Sequence, residues 1–144
     1  MSSSDREKMI KNLNEIVVPA LRKLNFKGSF PHFRRMTTDH INLLTFQFDR
    51  HGGAFVIEIA NVKNEPYELA GQIIEKNKLT AHMVNKRMRV QPIMHKNGDS
   101  STDDWFRYDK KYLFGFGDIY KKVCKDVLSK LDMADDYWKN GELN

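Results

Sequence analysis

Near the start of the chain the apolar positions recur at helical spacing. Met9, Ile10, Leu13, Ile16, Val17, Ala20, Leu21 and Leu24 keep to one face of a 3.6-residue repeat. Ser4-Asp5-Arg6-Glu7 ahead of them has the spacing of a capping box, a hydroxyl for the third amide and a carboxylate reaching back. Pro19 interrupts the stripe without shifting its phase, so one helix with a kink or short break is predicted, ending near Asn25. From residue 30 the period changes to two. Segments 40–49 and 54–62 are rich in β-branched and aromatic residues and are joined by Arg50-His51-Gly52-Gly53, whose glycines admit positive φ. Pairing Asp49 with Ala54 sets Leu44, Phe46 and Phe48 against Ile59, Ile57 and Phe55 on one face. The other face then carries Leu43, Thr45 and Gln47 against Ala60, Glu58 and Val56.

Residues 30–36 read as a preceding strand that turns through 37–40 and sets Met36 opposite Ile41. Pro31 argues for an edge position, because proline cannot donate to a ladder. This register adds Phe33 to the apolar layer and Phe30, His32 and Arg34 to the other face. Residues 63–84 read either as a helix starting at Asn64-Glu65-Pro66, with Tyr67, Ala70, Ile73 and Ile74 inward and Gly71 against it, or as a mobile flap. Residues 87–93 alternate like a strand up to Pro92, 96–104 form a loop, and 105–108 add a short strand. After Phe114-Gly-Phe-Gly117, Asp118 caps a helix with Ile119, Tyr120, Val123, Cys124, Val127, Leu128 and Leu131 inward. A last short helix passes Tyr137-Trp138 and stops at Gly141. The order predicts a single α+β domain over 1–144. Its antiparallel sheet has four to five strands, with the N- and C-terminal helices packed on one face.

Composition changes this picture little. A chain of 144 residues fits one domain, and the single cysteine excludes an intramolecular disulfide or a multi-cysteine metal site. No apolar run reaches the roughly 18 residues needed to span a bilayer, and residues 1–11 are polar where a signal peptide is apolar. A cytoplasmic protein with no membrane partner is therefore expected. The net charge of +5 brings nucleic acid into consideration. Its basic residues gather at Arg34-Arg35 and Lys86-Arg87-x-Arg89 rather than in a tail.

From Phe26-Lys-Gly-Ser-Phe-Pro-His-Phe-Arg-Arg35 onward the chain resembles a family of small, mostly bacterial proteins classed as a domain of unknown function. The likeness runs over nearly the full length. It comprises an N-terminal helix, a Gly-Phe-Lys type turn, a Phe-x-Arg strand, and a strand with a Phe-Gln pair, here Phe46-Gln47. A partner strand, an Arg-containing strand (86–92) and a late tryptophan segment, Asp103-Asp-Trp-Phe-Arg107, follow. The chain departs from the pattern at Asn25, where glycine is usual, and in having Trp-Phe for paired tryptophans. The resemblance implies the same fold grouping and brings no activity, cofactor or catalytic residue.

Function must then be sought in the residues. Histidines 32, 40, 51, 82 and 95 form no HxxxH, HxH or HExxH spacing, so neither metal nor cofactor is expected. Cys124 falls on the apolar stripe of its helix, where a thiol is inert. The glycine loops match no phosphate-binding motif, and no GxSxG elbow exists.

There remains the second face of the sheet, with His32, Arg34, Thr45, Gln47 and Glu58, extended by Arg87, Arg89, Trp105 and Arg107. A cation, an imidazole, an amide and a carboxylate in lateral reach suit an anionic or polar ligand; a solvated, salt-bridged face is the plainer account. The leading expectation is a non-enzymatic binding or interaction module for a protein or a small polar or anionic ligand. A toxin-immunity-like accessory role is its form by analogy. A small hydrolase or transferase is the second reading, with Glu58 or His32 as base, the two paired, and Arg34 holding an anion. The third is a nucleic-acid binder that sets Arg34, Arg35, Lys86, Arg87 and Arg89 on phosphates and stacks Phe30, Phe33 or Trp105 on bases.

Overall fold

A computed structural model describes residues 3–92, 104–109, 118–141 and 143–144. The predicted loop over 96–103, the end of the strand at Ile93 and the Phe114-Gly-Phe-Gly117 turn lie outside the described residues. Helix α1 (Ser3–Asn12) runs through a π-helical turn, Leu13–Val17, directly into α2 (Val18–Lys23). Met9, Leu13, Val17 and Leu21, each four residues from the last, are all fully buried. The interruption expected at Pro19 is thus a widened turn just ahead of it. Proline offers no N–H to the carbonyl of Glu15 and its ring crowds that oxygen, and i→i+5 winding relieves both. The helix already includes Ser3, so Ser4 lies in its first turn and not outside it as a cap. Asn25 follows α2 with φ 72°, the left-handed conformation that glycine usually supplies after a helix and asparagine tolerates.

Among the described residues eight strands follow: β1 (Lys27–Ser29), β2 (His32–Met36), β3 (His40–Phe48), β4 (Ala54–Lys63), β5 (Tyr67–Leu69), β6 (Gln72–Ile74), β7 (Met88–Val90) and β8 (Phe106–Arg107). The main sheet is antiparallel in the order β1-β2-β3-β4-β7, with β8 also pairing β4. Its central register is the one the alternation predicts: Leu44 faces Ile59, Phe46 faces Ile57, Phe48 faces Phe55, and Met36 faces Ile41. The edge is different. Residues 27–29 form an outer strand, so β2 lies inside the sheet, and Phe30-Pro31 is the two-residue turn between them. Proline's missing N–H is harmless in a turn, and the period-two alternation stops before Phe30. That ring stacks on Phe46 at 4.9 Å and meets Phe48 edge-on at 6.0 Å, on the helical side rather than the side predicted for it.

The helical layer covers one face. The N-terminal helix, α3 (Ile119–Ser129) and α4 (Leu131–Asn140) pack Leu13, Val17, Val123, Cys124, Val127 and Trp138 against Phe33, Phe46, Phe55 and Ile57. Asp118 caps α3 as predicted, its carboxylate accepting from the amides of Tyr120 and Lys121. No helix among the described residues is long and apolar enough to cross a membrane.

Residues 63–84 are neither the predicted helix nor a free flap. Strands β5 and β6 make a hairpin whose turn residues, Ala70 and Gly71, both have positive φ (51° and 80°). A pair of left-handed residues is a primed hairpin turn, a local choice that the i, i+3, i+7 spacing of Tyr67, Ala70 and Ile74 conceals. Two 3₁₀ turns follow, Lys76–Lys78 and Ala81–Met83. Leu79, Ala81 and Val84 are buried against Ile41, Leu43, Ala60 and Val62, so this segment roofs one end of the second face.

A polar network lies on the helical face, where the pattern alone predicts apolar contacts. Asn42 and Asn61 sit directly opposite each other, both buried, with Asn42 Nδ2 donating to Asn61 Oδ1 at 2.8 Å. Arg35 Nε donates to Asn42 Oδ1, its Nη1 to the Leu24 carbonyl, and its Nη2 pairs with Asp135 at 2.8 Å. The guanidinium also lies over the rings of Phe26 and Trp138, at 4.8 and 5.5 Å. Asn61 Nδ2 donates to the Tyr137 carbonyl and Trp138 Nε1 to the Leu43 carbonyl.

Replacing Asn42 with alanine leaves Arg35 Nε without its acceptor and Asn61 Oδ1 without its donor, a cost of about 1–3 kcal/mol readable as a lower urea midpoint. Burial works to raise the Asp135 carboxyl, but hydrogen bonds from Arg35 and Lys139 outweigh it and hold its pKa below the ordinary 3.8. Its contribution to stability is therefore complete above pH 3.8 and is lost as pH falls through the lower native value. The stability gap between the native protein and D135N, measured by denaturation, should be constant from pH 7 to 5 and close only in strong acid.

Candidate functional site

The second face of the sheet has three zones. At one end is the apolar roof formed by residues 79–84. At the other, Ala54, Val56 and Trp105 make a small apolar cluster. Between them runs a polar row across four strands: His32 opposite Thr45, Thr45 opposite Glu58, Glu58 opposite Arg89. Because side chains alternate strictly along a strand, the pairing that buries Phe46 and Ile57 on one side also raises this row on the other.

His32 is hydrogen-bonded through Nδ1 to Thr45 Oγ1 at 2.9 Å, and its ring meets that of His82 edge-on, centroids 6.0 Å apart. Burial, the His82 ring and the Arg34 guanidinium together push the His32 pKa below its usual 6.5. At neutral pH this imidazole is uncharged. Arg34, one step along the same face, donates through Nε and Nη2 to the Leu79 carbonyl at 3.3 and 3.0 Å, which ties the roof to β2. Burial lowers its pKa too, although a guanidinium stays cationic.

Glu58 is the buried charge of the row, its side chain 4% exposed. Arg87 Nε comes within 2.9 Å of Oε2 and Arg89 Nε within 3.5 Å of Oε1. Oε2 nevertheless has no aligned hydrogen-bond donor, so the Arg87 approach is an ion pair and not a directed bond. Arg89 also lies over the Trp105 ring at 5.5 Å, while Arg87 Nη1 donates to the His82 carbonyl at 3.2 Å. Both arginine side chains remain about one-third exposed, at 35% and 33%.

Of the nine residues that the sequence assigns to this face, seven therefore converge: His32, Arg34, Thr45, Glu58, Arg87, Arg89 and Trp105. Gln47 is on the same face one step away, opposite Val56. Arg107 is opposite Ala54, four residues or about 13 Å along β4 from Glu58, and is paired with Asp109. It stands apart from the row. The proposed pairing of His32 with Glu58 does not form, because Thr45 lies between them and takes the imidazole's Nδ1. Two strand spacings, about 10 Å, separate their backbones.

The Arg34-Arg35 patch is split by the sheet, Arg35 belonging to the helical network. Phe33 and Trp105, named above as stacking rings, are 1% and 9% exposed and offer no open face to a base. His82 is the site residue that sequence reasoning did not single out. It enters only because the 3₁₀ turn at Ala81–Met83 brings it over β2. Among the described residues no group of three or more histidine, cysteine or acidic side chains is placed to hold a metal.

With this geometry in place the family can be stated. The chain belongs to the DUF4304 family, a domain of unknown function, whose sequence profile matches residues 17–132. The match takes in the whole polar row. No curated protein and no solved structure matches the chain.

Cys124 is fully buried on α3, and burial, aided by Asp118, pushes its thiol up to about 12. At pH 8 about one molecule in ten thousand carries the thiolate. Native protein should thus be silent toward a disulfide reagent such as dithionitrobenzoate over minutes at pH 8 and release one equivalent on unfolding in guanidinium. Rapid labelling of the folded protein would place the thiol on the surface.

Proposed function

We propose that this domain is a binding module that holds a small anionic ligand on the polar row of its second sheet face. One observation carries the reading: Arg34 on β2 and Arg87 and Arg89 at β7 line this face from either side of Glu58, the carboxylate that the ion pairs of the described residues place there. Among the described residues no carboxylate pairs with Arg34. The neutral His32 adds no charge, so the three guanidiniums and Glu58 together leave an excess of two positive charges among these described groups, in a partly desolvated setting. There a guanidinium fork is worth more to an anion than in open solvent. Glu58 orients the two arginines of the β7 segment, Trp105 supports Arg89 from below, and Thr45 with His32 supplies neutral polar contacts. Nothing in this arrangement requires a nucleophile or a base. The ring of His32 is held by Thr45, and the carboxylate of Glu58 is committed to arginine.

Nuclear magnetic resonance titration with inorganic phosphate at pH 7.5 tests this. Saturable shifts are expected at the side-chain Nε–H signals of Arg34, Arg87 and Arg89 and at the amides of the row. R87Q should weaken the interaction about tenfold, the loss of one charge-assisted contact. Shifts that remain linear to about 10 mM, or that are the same in R87Q, would sink the anion site.

A further inference from the structure

We propose that residues 79–84 form an acid-released latch over this face, in which protonation of His32 beneath the facing ring of His82 loosens the segment from the sheet and frees Arg34 and Arg87 for an anion. The inference deepens the anion-site reading and rests on it for its second half only.

The latch is defined by three contacts. Arg34 grips the Leu79 carbonyl through two nitrogens, Arg87 grips the His82 carbonyl, and the His82 ring lies edge-on to His32. Two of the three use guanidinium donors that an anion would also seek, so seating of the segment and binding of an anion draw on the same groups. Between the contacts the segment has one short 3₁₀ turn, and its apolar hold on the sheet comes from Leu79, Ala81 and Val84, with Met83 half-buried beside them. It can therefore lift as a local unit while the β3–β4 hairpin stays paired.

The charges around His32 decide the direction. On its own strand stands Arg34; from the covering segment comes His82; from the far side of the row come Arg87 and Arg89. Glu58, the carboxylate that the described residues place in the row, is two strands from His32 and already compensated by two arginines. A proton on His32 thus adds charge to a surface that is already positive. The His32 pKa is held below 6.5 while the latch is seated, and lifting the segment takes the His82 ring, one cause of that depression, away from it. The seated state binds fewer protons, so it is favoured above pH 6.5 and loses ground as pH falls through that value.

Hydrogen exchange of the ligand-free protein at pH 7.5 and 5.5, corrected for the intrinsic rate, tests the first half. The amides of 79–84 should open at least about threefold more often at pH 5.5 while those of β3 and β4 do not change, and H82Q should abolish most of the difference. The His32 imidazole signals should titrate at higher pH in H82Q than in the native protein. Equal corrected exchange at both pH values, or an unmoved His32 titration in H82Q, would overturn the latch. Sulfate, which does not titrate in this range, reads the second half. Its affinity should rise several-fold from pH 7.5 to 5.5 in the native protein and less in H82Q. Exchange that responds to acid while sulfate binds at neither pH would overturn the anion reading and leave the latch standing; sulfate binding that ignores pH, with unchanged exchange, would overturn the latch alone.

Discussion

The hydrogen bond between Asn42 and Asn61 is the constraint on which the architecture turns. Two buried amides directly opposite each other on neighbouring strands satisfy one another in one register only. A slip of one residue would place each against an apolar neighbour and leave both unsatisfied in the interior, at a cost of several kcal/mol on top of the lost packing. Arg35 strengthens the selection by reaching the same amide from β2, so three strands are aligned by one connected set of donors and acceptors. The C-terminal helix reads that alignment too, through the Tyr137 carbonyl and the Trp138 indole. A polar device inside an apolar layer contributes uniqueness more than net stability.

The second face inherits its order from the same register. Its polar row is assembled by parity, not by long loops reaching toward one another, and it rests on the stiffest part of the molecule. Apolar clusters close both ends of the row, which lowers the local dielectric around Glu58 and gives its ion pairs weight that exposed pairs lack. The anion site proposed above rests on this setting.

The central strands and the composition of the second face were legible because period-two patterning and a four-residue loop determine a hairpin's register together. Helix capping by Asp118 was legible for an equally local reason. What escaped depended on contacts remote in sequence or on turn conformation. A turn at Phe30-Pro31 looks like the interior of a strand unless the short β1 is known to pair back. Ala70-Gly71 adopts a left-handed pair, although alanine disfavours it, because it lets the half-buried Tyr67 and Ile74 of the hairpin pack against the sheet's apolar end. The adjacency of Arg34 and Arg35 suggested one basic patch, yet neighbours on a strand point to opposite sides, and that much the alternation already implied. His82 gave no signal, since nothing near it in sequence shows which strand its turn will lie against.

Those two consecutive arginines make β2 a mechanical link. One guanidinium holds the carbonyl of Leu79 above the sheet; the next holds the carbonyl of Leu24 and the carboxylate of Asp135 below it. The two coverings of the sheet, otherwise separated by its full thickness, are thus joined across a single peptide unit. A displacement of β2 by a fraction of an ångström would strain the tethers on both sides together. The polar face and the helical layer are thus coupled through a path one residue long.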